Sequence, residues 1–304
     1  MRVRGLLAGG ALVLCSVAAA AGCGGSGSVK GADALVFVST RDGAYELYAS
    51  KRDGSDQHRL TKDRGNAATR AGLDYQIDPA WSPDGRRIAF ASSRDGQLRI
   101  FVVDAGGKTT TRVTTEAGED THPTWSPDGS RIAFTHGLPN EIEIIGADGS
   151  GLHRLSHGTA EESDPAWSHD GRWLAYVRRT PGTSIKELWL VHPDGTGAHQ
   201  LTSLGAASTH PTWSPDDKRI AFVSDARGRR LAIYSIGASG IGLRLVSGST
   251  AQDIDPAWSP DGRVIAFSRD GAIVVAPVGK GSERTLTDPK NNDSSPAWKP
   301  IEKR

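Results

Sequence analysis

Apolar residues along most of this chain fall in short alternating runs, with no sustained helical spacing. Ile88-Ala89-Phe90, Ile132-Ala133-Phe134, Leu174-Ala175-Tyr176, Ile220-Ala221-Phe222 and Ile265-Ala266-Phe267 each put two bulky side chains on one face of a strand and an alanine on the other. A polar corner precedes each run. In Ser82-Pro83-Asp84-Gly85, proline stands second and glycine fourth, the preferences of a type I turn, so a hairpin is expected there. Third strands are predicted after the next polar turn, at Arg99–Val103, Glu187–Val191 and Leu231–Ile236. Fourth strands are marked by Arg59-Leu60-Thr61, Arg112-Val113-Thr114, Arg154-Leu155-Ser156 and Gln200-Leu201-Thr202. Asp53-Gly54-Ser55, Asp148-Gly149-Ser150 and Asp194-Gly195-Thr196 supply the turns between third and fourth strands.

These units repeat. Tryptophans recur at Trp81, Trp125, Trp167, Trp213, Trp258 and Trp298, at spacings of 44, 42, 46, 45 and 40 residues, a period that fits one four-stranded propeller blade. The segment from residue 34 to Thr61 holds strands of the second, third and fourth kinds but no Trp strand, and the C-terminal end supplies a Trp strand with nothing after it. The two ends therefore complete one blade. The expectation is an all-β, six-bladed β-propeller over residues 34–300, with four antiparallel strands per blade, the first blade closed by the C-terminal Trp strand, and a short tail at 301–304.

Composition and charge narrow the function classes. The formal net charge is +1, and it falls to −1 without Arg2 and Arg4, so no basic field exists to attract nucleic acid. Residues 1–23 read as an export signal: two arginines, an apolar stretch from Leu6 to Ala21, then small residues before Cys23. Ala20-Ala21-Gly22-Cys23 resembles the lipobox of bacterial lipoproteins, which implies lipidation of Cys23 and a membrane anchor on the outer side of a bacterial membrane. Residues 24–33 begin with Gly-Gly-Ser-Gly-Ser and read as a flexible tether. The only other cysteine, Cys15, lies inside the signal, so the propeller is expected to have no disulfide.

DPAWSPDGRRIAF at Asp78 and its copies at His122, Asp164, His210 and Asp255 resemble the propeller repeats of the TolB family, over nearly the whole mature chain. The resemblance implies a monomeric envelope protein that binds an envelope protein or peptide segment. It says less about chemistry, because one fold hosts many activities.

Candidate site residues lie before each Trp. Three positions before stand Asp78, His122, Asp164, His210, Asp255 and Ser295; five before stand Gln76, Asp120, Glu162, Ser208, Asp253 and Asp293. The segments leading into the innermost strands surround one end of a propeller's channel, so these side chains are expected to form a ring of carboxylates and imidazoles at the channel mouth. Such a ring offers the oxygen donors that a divalent cation such as calcium takes, or an acidic surface for a partner. The competing reading is local: an Asp before Pro accepts backbone hydrogen bonds without any ligand. There is no nucleophile elbow, no HExxH and no phosphate-binding loop, so a binding scaffold is the first expectation. The alternative is a lyase, hydrolase or sensor acting on cell-wall or carbohydrate material, with His122 or His210 as acid/base or metal ligand. Five further histidines, His153, His157, His169, His192 and His199, are expected on solvated turns or outer strands, and Trp173 and Trp189 in packing.

Overall fold

The computed structural model describes residues 35–62, 75–155, 159–228, 230–248 and 251–301. The export signal, Cys23, the tether and residues 302–304 lie outside the described residues. Among those described, 24 strands form six four-stranded antiparallel sheets arranged as propeller blades. The inner strands are Ser294–Trp298 in blade one, then Gln76–Trp81, Asp120–Trp125, Glu162–Trp167, Ser208–Trp213 and Asp253–Trp258 in blades two to six. Blade one joins the two ends of the chain: Leu35 pairs with Trp298, Val36 with Ala297 and Val38 with Ser294. No helix of the described residues is long and apolar enough to cross a membrane.

The alternation in the second strands sets how blades stack. Ile88 and Phe90 pack against Val36, Val38 and Leu47 of blade one, while Ala89 and Ala91 receive Ile132 and Phe134 of blade three. The same bulky-to-small fit recurs around the ring, giving six apolar clusters, each spanning one blade interface. The core is therefore a ring of interfaces, which is why a blade cannot bury its apolar faces alone.

Two recurring residues have local explanations. In the Ser-Pro-Asp-Gly corners, Ser82 Oγ donates to Asp84 Oδ1 at 2.5 Å and accepts from the Arg87 amide at 2.9 Å, while Gly85 at φ +62° occupies a conformation that disfavours side chains. The outer strands are shorter than expected, two or three residues such as His58–Arg59, because the following Leu and Thr turn inward. The hydroxyl then substitutes for a strand carbonyl: Leu47, Ile100, Leu188, Ile233 and Ile273 amides donate to Thr61, Thr114, Thr202, Ser247 and Thr287 hydroxyls at 2.9–3.0 Å. This satisfies backbone donors where the ladder ends.

The tryptophans bind neighbouring blades. Trp125, Trp213 and Trp298 donate their indole N–H to the carbonyls of Ala80, Ala166 and Ala257 in the preceding blade, at 3.0–3.2 Å. Arginines from the preceding blade cover indole faces, with the Arg87 guanidinium 4.6 Å from the Trp125 ring centre and Arg131 5.2 Å from Trp167.

Candidate functional site

Each inner strand carries the same irregularity. Between Ile77 and Ala80 the register with the second strand shifts, so Asp78 and Pro79 together oppose one residue, and equivalent shifts occur in all six blades. The residue in the bulge has a left-handed backbone every time: φ is +55° at Asp78, +51° at His122, +53° at Asp164, +51° at His210, +53° at Asp255 and +49° at Ser295. That conformation is rare for non-glycine residues, and rarer before proline, and costs on the order of 1–3 kcal/mol at each position. The paired strand on either side of the bulge holds it there.

The bulge turns these six side chains onto the propeller axis. His122 bridges two carboxylates, with Nε2 3.7 Å from Asp78 Oδ2 and Nδ1 3.7 Å from Asp164 Oδ1. His210 does the same between Asp164 Oδ2 at 3.9 Å and Asp255 Oδ1 at 3.6 Å. The two imidazoles meet edge to face with centres 5.4 Å apart. Backbone contacts lock the ring: the His122 amide donates to Asp78 and the His210 amide to Asp164, both at 3.2 Å. Ser295 takes the sixth position, donating through Oγ to Asp255 Oδ2 at 3.2 Å, an oxygen that also accepts from Ser268 Oγ at 3.3 Å. Asp78 and Asp164 accept backbone hydrogen bonds from the next blade, Asp255 accepts from the Ser268 and Ser295 hydroxyls, and all three line the funnel, so these bonds come from the next blade or the paired second strand and not from within the entry segment of each.

The electrostatics follow from this alternation. Burial pushes the Asp164 carboxyl up, but the two flanking imidazoles and the His210 amide outweigh it and hold the group down at about 2. Burial opposes the His122 imidazolium, yet Asp78, Asp164 and Asp255 together outweigh burial and the opposing charge of Lys186, so its pKa is raised. A positive charge is therefore favoured on the axis.

The ring is the floor of a funnel of about 1050 Å³. Its wall is built from the residues after the ring in every blade, the prolines Pro79, Pro123, Pro165, Pro211, Pro256 and Pro296 and the six tryptophans, and its rim from the Ser-Pro-Asp-Gly corners. The ring thus stands mid-strand, below the rim on the corner side, and not at a mouth formed by the segments leading into the strands.

The other four expected site residues are elsewhere. Asp120, Glu162, Asp253 and Asp293 are almost fully buried and absent from the funnel wall. Asp120 accepts from Thr114 and contacts His136 Nδ1 at 2.7 Å; Glu162 lies 3.6 Å from Arg178 Nε; Arg269 donates to both oxygens of Asp253 at 2.6 and 2.9 Å; Arg41 donates to both oxygens of Asp293 at 3.1 and 3.0 Å. Their placement at the channel mouth is thereby corrected: the bulge at each ring residue turns that side chain out of the strand's alternation, so the residue two positions earlier does not share its direction. His153, His169 and His199 are exposed, as expected, whereas His192 stacks on Trp173 with centres 3.9 Å apart. His157 lies outside the described residues. Sequence reasoning missed the proline and tryptophan wall. Its signal was the Pro and Trp that follow every ring position, but their direction depends on the bulge. Among the described residues no three His, Cys, Asp or Glu side chains stand close enough to share one metal ion, since the ring spaces its carboxylates with imidazoles.

A family model described as the TolB beta propeller domain matches residues 68–187 and 180–303. A TolB homolog of Chlorobium chlorochromatii is 35% identical over 89 residues, 29% of this chain and 18% of that protein. The Tol-Pal system protein TolB of Desulfosudis oleivorans is 32% identical over 68 residues, 22% of this chain and 14% of that protein. The matches thus span less than a fifth of the length of these curated relatives. Among solved structures, TolB from Acinetobacter baumannii superposes with a TM-score of 0.70 at 19% identity, covering 88% of this chain and 66% of that one. A nidogen/laminin complex gives 0.71 at 12% identity, covering 88% and 98%, and the oligogalacturonate lyase of Vibrio parahaemolyticus gives 0.52 at 15%, covering 84% and 73%. At such identities these likenesses establish the fold alone.

Proposed function

The chain belongs to the TolB β-propeller domain family, and from that premise we propose that it is a non-catalytic binding scaffold of the bacterial cell envelope that grips a partner segment in its central funnel. One observation carries this reading: a cavity of about 1050 Å³, walled by proline and tryptophan, closes on a ring of Asp and His side chains held in strained backbone. Concave, mostly apolar walls with a few convergent polar groups are the usual build of a binding site. Prolines and buried indoles lose little conformational entropy when they are covered, so a chain seated on them binds at low ordering cost. The relatives named for the Tol-Pal system support a protein partner.

The same reading puts the propeller outside the cytoplasm, tethered by lipid at Cys23, on the strength of the export signal and the lipobox-like sequence. Radiolabelled palmitate incorporated into the full chain but not into its Cys23→Ala variant is the expected result, and equal labelling overturns the anchor. For the scaffold, the full chain and a triple variant, Asp78→Asn, His122→Gln and His210→Gln, are used as bait against solubilised envelope. A protein retained by the first and lost by an equally folded second is expected. Identical retention by both baits places the interface away from the funnel and overturns the proposal.

A further inference from the structure

The ring alternates, and the alternation breaks once. Around the axis the order is Asp78, His122, Asp164, His210, Asp255, Ser295. Each histidine occupies a position between two carboxylates and reaches both, one through each ring nitrogen, at 3.6–3.9 Å. Ser295 stands in the third such position, between Asp255 and Asp78, with the same left-handed backbone, φ +49°. Its short hydroxyl reaches Asp255 alone. Asp78 faces His122 on one side and Asp255 faces His210 on the other; the interval between them holds no imidazole, only the hydroxyl of Ser295 and, 3.3 Å from the same Asp255 Oδ2, that of Ser268.

Resting on the reading of the funnel as a binding site, we propose that the Ser295 sector receives a partner's cationic tip, the ammonium of a lysine or the guanidinium of an arginine, between Asp78 and Asp255. Three arguments lead there. First, the sector lacks the imidazole that stands between the carboxylates in its two equivalents, and a hydrogen-bonded cation between two carboxylates takes that place. Second, the position is open to the funnel: Ser295 lines it as His122 and His210 do, with a much smaller side chain. Third, the approach suits a long apolar stem with a charged end, because between the charged rim and the floor the wall is proline, alanine or threonine, and indole, while the floor at this interval presents the carboxylates of Asp78 and Asp255. The raised pKa of His122 agrees, since it reports a potential that favours positive charge on this axis.

The test uses calorimetric titration at low ionic strength with a defined probe, the capped peptide acetyl-Ala-Pro-Lys-Pro-Ala-amide, and its norleucine counterpart, which keeps the stem and lacks the charge. The full chain binds the lysine peptide at least about tenfold more tightly than the norleucine peptide. Ser295→His, which installs the residue its two equivalents carry, removes that preference. Asp78→Asn combined with Asp255→Asn removes it too, and guards against a fold failure in the first variant. Equal binding of the two peptides, an unchanged preference in a folded Ser295→His protein, or no binding of the lysine peptide at millimolar concentration overturns the assignment. Tighter binding of calcium chloride than of the peptide, abolished by Ser295→His, also overturns it and gives the sector to a metal ion. Failure here with retained envelope capture leaves the funnel reading standing; loss of both refutes the two together.

Discussion

Asp253 and Asp255 lie two residues apart on one inner strand and do different work, which a single pair of substitutions separates. Asp253 has no solvent-exposed surface and receives two hydrogen bonds from Arg269, at 2.6 and 2.9 Å, a bidentate pair whose arginine side chain is 16% exposed. Removing one partner of a buried pair costs about 3–5 kcal/mol, because the other charge is left desolvated. Arg269 keeps a second carboxylate, Glu283 at 2.5 Å, so the lower end applies and Asp253→Asn is expected to cost about 3 kcal/mol. For a domain of this size that is a fall in Tm of about 6–12 °C. Asp255→Asn keeps a residue type tolerant of left-handed backbone, at a site lining the funnel, and is expected to cost no more than about 1 kcal/mol. Urea denaturation and calorimetry measure both. Only Asp255→Asn is expected to change binding in the funnel. A loss below about 1 kcal/mol for Asp253→Asn, or equal losses for the two variants, refutes the division into a structural and a channel-facing carboxylate.

Other substitutions probe the closure, the blade contacts and the ring. Gly107 has φ +73°, and an added Cβ falls 2.1 Å from the Leu60 carbonyl oxygen of the preceding blade, so Gly107→Ala is expected to cost about 3 kcal/mol. Gly43, at φ +89° with nothing within 4 Å, bears the conformational strain alone, about 1 kcal/mol for Gly43→Ala by the same denaturation assay. Deleting residues 294–304 removes the inner strand of blade one and uncovers the edge from Leu35 to Ser39; loss of a single cooperative unfolding transition and binding of a hydrophobic dye are the expected outcomes. The His122 pKa is raised in the folded protein, so its contribution to stability is full below the unfolded value and disappears as pH rises through the folded one. The stability gap between the protein and His122→Gln, followed by denaturation across a pH series, therefore narrows with rising pH. The groups facing this imidazole are Asp78, Asp164, Asp255, His210 and Lys186, and proton NMR of the ring follows its titration directly.

Blade number, strand order and the shared first blade are written in the sequence because they rest on local signals repeated at a fixed period. Corners such as Ser82–Gly85 specify hairpins through turn chemistry and side-chain hydrogen bonds within a few residues. Runs such as Ile88–Phe90 specify which faces pack through simple alternation. The candidate site was half legible. Asp78, His122, Asp164, His210 and Asp255 converge on the axis, while Asp120, Glu162, Asp253 and Asp293, two residues earlier in equivalent strands, point into the blades. Both sets fall in the segments that lead into the inner strands, so sequence alone put them in one ring, and in a regular strand residues two apart do share a face. The left-handed bulge at Asp78 and its equivalents turns the ring side chains out of that alternation, and it is held by pairing with the second strand on both sides, a tertiary constraint that outweighs the residue preference against such backbone. The sequence thus determined that six carboxylate- or imidazole-rich segments would meet around a channel; only the assembled sheets decided which side chains face it.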